Sequence, residues 1–198
     1  MNKVAFTSDQ HYWHSNIISE RLCNRPFKDI IENNETIISN HNCVAYDDTW
    51  EVYMLGDIAY KCDANRVFEV LKRLNGKMNI LLGNHDKPLR QAWERGLLDK
   101  MIKSGKIKII GTQDRTDIVA KLLKIDNRTL ILSHYAYRTW PSAFRGTIHL
   151  YGHSHSNLPS LYKSFDVGVD ANNFFPVTLE EVFKRADAVT ADFSEREV

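Results

Sequence analysis

Apolar residues along this chain gather into short runs, and run after run ends at a cluster of polar side chains. Val4-Ala5-Phe6-Thr7 reads as a first buried strand and stops at Ser8-Asp9-Gln10-His11-Tyr12-Trp13-His14. Glu51-Val52-Tyr53-Met54-Leu55 reads as a second and closes at Gly56-Asp57. Asn79-Ile80-Leu81-Leu82 runs into Gly83-Asn84-His85-Asp86. Between the last two strands, Asp63 is placed to cap a helix with Val67, Val70, Leu71 and Leu74 on one stripe and Asn75-Gly76 at its end. Strand, helix and strand in this order predict parallel pairing, with the Asp57 and Asn84 turns on one sheet edge.

The remaining pattern predicts further elements of both kinds. A helix is expected over Ile30 to Ala45, with Ile31 and Ile38 inward and Ile30 and Ile37 as further inward candidates, Glu32, Asn33 and Asn40 outward, and His41 a packed or surface residue. Pro88 opens another helix, with Leu89, Ala92, Trp93 and Leu97 at helical spacing. The second half of the basic segment Lys100 to Lys108 reads as a strand that continues to Ile110. Ile118 to Ile125 and Thr129 to Ser133, separated by Asp126-Asn127-Arg128, read as a hairpin that delivers Ser133-His134. Thr147 to Tyr151 closes on Gly152-His153-Ser154-His155, and Ser164 to Val169 forms one more strand. Thr178 and Glu181 make a capping box for a last helix, and the tail from Ala191 is expected to fray.

Composition narrows the class. The 198 residues are expected to form one domain, 1–198, a size that buries about 70% of the unfolded surface without staples. The 26 Lys and Arg against 25 Asp and Glu leave a net charge of +1, so no global field favours nucleic acid or an anionic membrane. Cys23, Cys43 and Cys62 contain no C-x-x-C pair, which argues against a disulfide framework or thiolate zinc site. No apolar leader and no run of about 20 apolar residues is present, so a soluble, cytoplasmic protein without a membrane partner is expected.

The chemistry sits in the turns. Asp9 and His11 are two apart, as are His153 and His155, so in extended backbone each pair leaves on one face and can grip one ion. Five strand ends supply Asp9, His11, Asp57, Asn84, His85, His134, His153 and His155, which include five of the eight histidines. Oxygen and imidazole without thiolate suit divalent Mn, Fe, Ni or Zn. The donors exceed the needs of one ion, and two ions about 3.5–4 Å apart sharing one carboxylate would use them all.

The series Asp9-x-His11, Gly56-Asp57, Gly83-Asn84-His85-Asp86, His134 and Gly152-His153-x-His155 resembles the calcineurin-like metallophosphoesterase superfamily, in the family's order. The resemblance implies a four-layer α/β sandwich, two mixed β-sheets packed face to face and flanked by helices. It implies that Asp9, His11, Asp57 and His155 hold one divalent ion, and that Asp57, Asn84, His134 and His153 hold the other. It also implies a metal-dependent phosphoric ester hydrolase in which a hydroxide bridging two metal ions, manganese foremost, attacks a phosphodiester while His85 assists the leaving group. A phosphomonoesterase on a small substrate and a noncatalytic metal-binding interaction domain are the alternatives. Ile58-Ala59-Tyr60 after Asp57 lacks the arginine-containing motif of the Ser/Thr protein phosphatases, and His14-Ser15-Asn16-Ile17-Ile18 is similar to compact bacterial and phage-encoded members.

Around these turns lie candidates for binding a small phosphate ester, a nucleotide among them. His14 either approaches substrate or packs on the first turn. Tyr137 and the other aromatics Tyr12, Trp13, Tyr135 and Trp140 could stack a base or fill the rim. Arg138 and Arg145 could meet phosphate oxygens or pair on the surface. Asp86 is expected to fix its turn and His149 to be packed, and the lysines from Lys100 to Lys108 read as a solvated face rather than a nucleic-acid track.

Overall fold

Each apolar run that stops at a polar cluster becomes a strand, and the cluster becomes the turn at its carboxyl end. The computed structural model describes residues 2–112 and 119–190. Along them lie β1 (Val4–Thr7), α1 (Ile30–Val44), β2 (Glu51–Met54), α2 (Ala64–Arg73), β3 (Lys77–Leu82), α3 (Lys87–Glu94), α4 (Asp99–Lys103) and β4 (Ile107–Thr112). Then follow β5 (Ala120–Ile125), β6 (Arg128–Ser133), β7 (Ile148–Tyr151), β8 (Ser164–Asp166), β9 (Val177–Thr178) and α5 (Leu179–Asp187). Parallel strands in the order β4-β3-β2-β1, with β9 antiparallel to β1, make the first sheet. The second has the order β5-β6-β7-β8, antiparallel at the β5–β6 hairpin and parallel beyond it. The protein is therefore an α/β sandwich of two mixed sheets.

Strand alternation divides the apolar side chains between two cores. Val52 and Met54 of β2 and Met78, Ile80 and Leu82 of β3 pack beneath helical residues such as Ile37, Val67, Leu71 and Leu89. Phe6, Tyr53 and Leu55 point the other way and meet Leu130, Leu132, Leu150 and Phe165 of the second sheet, with Leu179, Val182 and Ala186 of α5 in the same core. The outer face of the second sheet is covered by Trp140 and Ala143, packed with Ile131, Tyr137 and Tyr162. Pro141 and the left-handed Ser142 (φ 60°) hold this covering segment to a single 3-10 turn, Ala143–Arg145. The fourth layer is thus a loop, whereas helices cover the first sheet.

The predicted caps form: Asp63 accepts the Asn65 and Arg66 amides, and Thr178 accepts the amide of Glu181. Three expectations change. In α1 the inward stripe is rotated, so that Ile31 is 51% exposed while Asn33, Asn34 and His41 are buried with Ile37 and Ile38. Each inward polar group has work to do: Asn33 accepts from Arg25, Asn34 accepts from the Trp13 amide, and the His41 ring meets the Asn75 carbonyl. In the hairpin the turn is Asp126-Asn127 alone, both at positive φ, and Arg128 begins β6. Finally, β8 ends at Asp166, whose carboxylate takes the Gly168 amide at 2.7 Å and turns the chain toward β1, where Gly168 bridges Ser8. Ile118 and the tail from Ala191 lie outside the described residues.

Candidate metal centre

Parallel pairing within each sheet sends the ligand-bearing ends of β1, β2 and β3, and those of β6 and β7, to a common edge where the two sheets meet. The turns interlock by backbone bonds: Asp9 N donates to Gly56 O, His11 N to Asp57 O, and Gly152 N to His134 O, all at 3.0 Å. Asp9, His11, Asp57, His153 and His155 all have φ between 47° and 66°. Non-glycine residues in this left-handed region cost about 1–3 kcal/mol each and persist where surrounding structure imposes them. Two glycines permit the close approach. A Cβ on Gly152 would collide with the Ser8 hydroxyl and the Asp9 carboxylate, and one on Gly83 with the Asp57 carboxylate.

Two donor groups result, Asp9 with His11 and His155, and Asp57 with His134 and His153, the donor atoms within each lying no more than 4.8 Å apart. Asp57 joins them. Its Oδ2 lies 3.5 Å from His11 Nε2 and 3.4 Å from His134 Nε2, while Oδ1 is turned away to accept the His85 amide at 2.8 Å. Asn84 Oδ1 lies 2.9 Å from His134 Nε2 and accepts the Tyr135 hydroxyl at 3.3 Å. All seven residues expected to ligate metal are thus gathered at one place.

Their chemistry fits cations. His134 Nδ1 sits 2.8 Å from the Leu55 carbonyl, which accepts its proton, so Nε2 in the neutral ring presents a lone pair to the oxygens of Asp57 and Asn84. Three electron-rich atoms converge there. Among the described residues, Asp9 Oδ1 and both ring nitrogens of His11 are buried without a hydrogen-bond partner, the condition of atoms that await a ligand.

The charges respond to this crowding. Burial pushes Asp9 up to about 6 and His11 well below the usual imidazole range. Burial opposes a charge on His134, but the hydrogen bond and attraction of Asp57 outweigh it and raise the ring to about 9. Asp57 is lowered in turn, His134 and His11 overcoming its burial. A proton on His134 therefore takes the place that a cation could take.

Asp86 does hold its turn: it accepts the Gly83, Ile58 and Ala59 amides at 2.8, 2.7 and 3.1 Å, binding the ends of β2 and β3 together. Burial first, then repulsion from Asp57, raises its carboxyl. His85 belongs to neither donor group. Its partly exposed ring packs edge-on against Tyr60 at 4.6 Å and lies 5.7 Å from His11. His14 stands beside them, 5.3 Å from His11 and 4.3 Å from Tyr60, and burial, with neighbouring cationic groups, lowers it to about 4.

No family model matches this sequence. An uncharacterized protein of the archaeon Methanocaldococcus jannaschii, MJ1445, is 32% identical over 192 residues, covering 93% of this chain and 91% of that protein. The chain belongs to the family of MJ1445.

In this member of the MJ1445 family the peripheral candidates divide. Tyr135 stays at the centre, its ring 4.4 Å from His153. Tyr137 does not: it stacks on His149 at 5.1 Å, within the cover of the second sheet, because that face needs an apolar lid. Arg138 is exposed, and Arg145 lies over Phe144 beside a groove with Lys124 and Lys163. Tyr12 is buried in the helix-side core, Trp13 packs against it, and Trp140 is buried under the loop layer. His149 is packed, its two ring nitrogens bonded to Ser133 and Ser164.

Three residues at the centre carry no expectation from sequence: Tyr60, Arg25 and Asp170. Arg25 is a charged side chain with 0% exposure, and only partners distant in sequence reveal it. Asp170 had a local signal, since β8 and Gly168 lead to it much as other strands and glycines lead to the ligands. Cys23, His155 and Asp170 form a third cluster of donors, but both Asp170 oxygens are engaged by Arg25, which makes this an ion pair.

Proposed function

We propose that the protein is a dinuclear metal-dependent phosphodiesterase. The observation that carries this reading is the position of Asp57 Oδ2, nearly equidistant from His11 Nε2 at 3.5 Å and His134 Nε2 at 3.4 Å, so that one oxygen reaches both donor groups. One carboxylate oxygen so placed suits a bridge between two cations. Asp9, His11, Asp57 and His155 would hold one ion, and Asp57, Asn84, His134 and His153 the other. When bound, two divalent ions would polarise the phosphoryl oxygens and make water nucleophilic near neutral pH.

The chain's own groups favour an anionic substrate. Asp170 is offset by Arg25, and Asp86 is satisfied by three amides, so Asp9 and Asp57 are the carboxylates left to balance two divalent ions. About two positive charges remain for a phosphate. His85 is held by its amide on Asp57 Oδ1 and by the Tyr60 ring, outside both donor groups. An imidazole N–H there can hand its proton to the departing oxygen. Asn84 is kept in place by Tyr135, and buried Asp9 and Asp57 exclude competing waters from their inner sides.

Among the described residues, the rings of His14, Tyr60, His85 and Tyr135 border the cluster, while the buried Arg25 guanidinium is taken up by Asp170. That border suits a diester, with one negative charge and a second organic group, better than the dianion of a monoester. Turnover of bis(4-nitrophenyl) phosphate and 4-nitrophenyl phosphate, with manganese and with chelator, tests the reading. Manganese-dependent cleavage that prefers the diester is expected. Preference for the monoester would support a phosphomonoesterase, and bound metal with no turnover of any ester would favour a noncatalytic interaction domain.

A further inference from the structure

Beneath the Asp9, His11 and His155 group lies a buried ion pair that touches no candidate substrate position. The Arg25 side chain is fully buried, and Asp170 is 9% exposed. Arg25 Nε and one terminal nitrogen fork onto the two Asp170 oxygens at 2.7 and 2.9 Å. That same terminal nitrogen donates to the Asp9 carbonyl at 2.7 Å, and the other donates to the Gln10 carbonyl at 2.9 Å and to Asn33 Oδ1 at 3.2 Å. On its far side, Asp170 Oδ2 lies 2.7 Å from His155 Nδ1. One guanidinium therefore joins the Asp9 turn to Asp170, the partner of His155, which lies 145 residues beyond Arg25.

We infer that Arg25 and Asp170 are positioning residues for one of the two proposed metal sites, the one built from Asp9, His11 and His155; this rests on the dinuclear reading above. A carboxylate on one ring nitrogen fixes the orientation of an imidazole and strengthens the other nitrogen as a ligand. Asp170 does this for His155. Arg25 keeps Asp170 in register and, through the Asp9 and Gln10 carbonyls, holds the two peptide groups that link Asp9 (φ 60°) to His11 (φ 50°). The second donor group has its own anchor in the Leu55 carbonyl on His134 Nδ1. His134 thus has an anchor that the pair does not supply, and damage to the pair should be felt first at the Asp9, His11 and His155 group, which the pair touches directly.

Manganese titration of the metal-free full chain, followed by calorimetry and by the electron paramagnetic resonance of the bound ion, tests this. Asp170→Asn keeps the shape of the side chain while removing its charge. One of two manganese equivalents is expected to weaken by about 10–100-fold, with the other unchanged and the circular dichroism spectrum intact. Arg25→Lys, which keeps the charge and loses the fork, should weaken the same equivalent and provides a second route if Asp170→Asn folds poorly. Wild-type binding of two equivalents with both variants indistinguishable from it, or with both equivalents weakened alike, would overturn the positioning assignment alone. A wild-type chain that binds no manganese would instead contradict the dinuclear reading, and the assignment with it.

Discussion

Arg25→Ala is a severe change at a residue outside the ligands. It leaves Asp170, at 9% exposure, with the His155 ring but without the guanidinium fork on its two oxygens, and it strips donors from the carbonyls of Asp9 and Gln10 and from Asn33. Breaking a buried pair from one side costs about 3–5 kcal/mol. The extra lost hydrogen bonds place this site near the upper end, about 5 kcal/mol. Urea unfolding of the metal-free protein measures it; with a slope of about 2 kcal/mol per molar, the midpoint should fall by about 2.5 M. The double variant Arg25→Met with Asp170→Asn removes both charges and should be less damaged than the sum of the single changes, with a coupling energy of about 2 kcal/mol. A loss below about 1 kcal/mol for Arg25→Ala, or strict additivity in the cycle, would refute the buried-pair argument.

His85→Asn should lower turnover of an aryl phosphodiester by about 100-fold or more while leaving metal content unchanged; unaltered turnover would remove His85 from the chemistry. Asp86→Ala deprives three amides of their acceptor, at about 1–3 kcal/mol each. Its thermal midpoint should fall by about 10 °C or more, read by circular dichroism on the metal-free protein, and a change of only a degree or two would contradict the assigned structural part. His41 is lowered from 6.5 to about 4 by burial in α1. Below pH 6.5 the unfolded chain takes a proton that the folded chain refuses until about pH 4, so stability falls as pH drops through this window. The loss should amount to about 2–3 kcal/mol between pH 7 and pH 4.5. His41→Gln should flatten that part of the metal-free stability profile, and identical profiles would contradict it.

The local pattern carried much of the architecture, and distant partners decided the rest. Val4–Thr7, Glu51–Met54 and Lys77–Leu82 are legible because an apolar strand and its polar turn adjoin in sequence, so Asp9, His11, Asp57 and Asn84 could be read as edge residues from strand logic alone. The second sheet was not legible that way. Strands Arg128–Ser133 and Ile148–Tyr151 look like those of the first sheet, and their separation depends on the packing of Leu130 and Leu150 against Phe6 and Tyr53. In α1 the spacing places Ile38 correctly and Ile31 wrongly, and Asn33, Asn34 and His41 are turned inward by partners elsewhere in the chain. Tyr137 and Tyr135 are two residues apart and indistinguishable by composition, yet the bend at His134-Tyr135 that follows β6 sends one to His149 and the other to His153. Arg25 resembles any loop arginine until Asp170, Asp9 and Asn33 are brought around it.

Asp57 is proposed to join two cation sites, and anomalous diffraction from crystals grown with manganese would locate both. The account predicts two anomalous peaks about 3.5–4 Å apart, on either side of Asp57 Oδ2, one beside Asp9, His11 and His155 and the other beside Asn84, His134 and His153. A single peak, or none at this edge of the sheets, would contradict it.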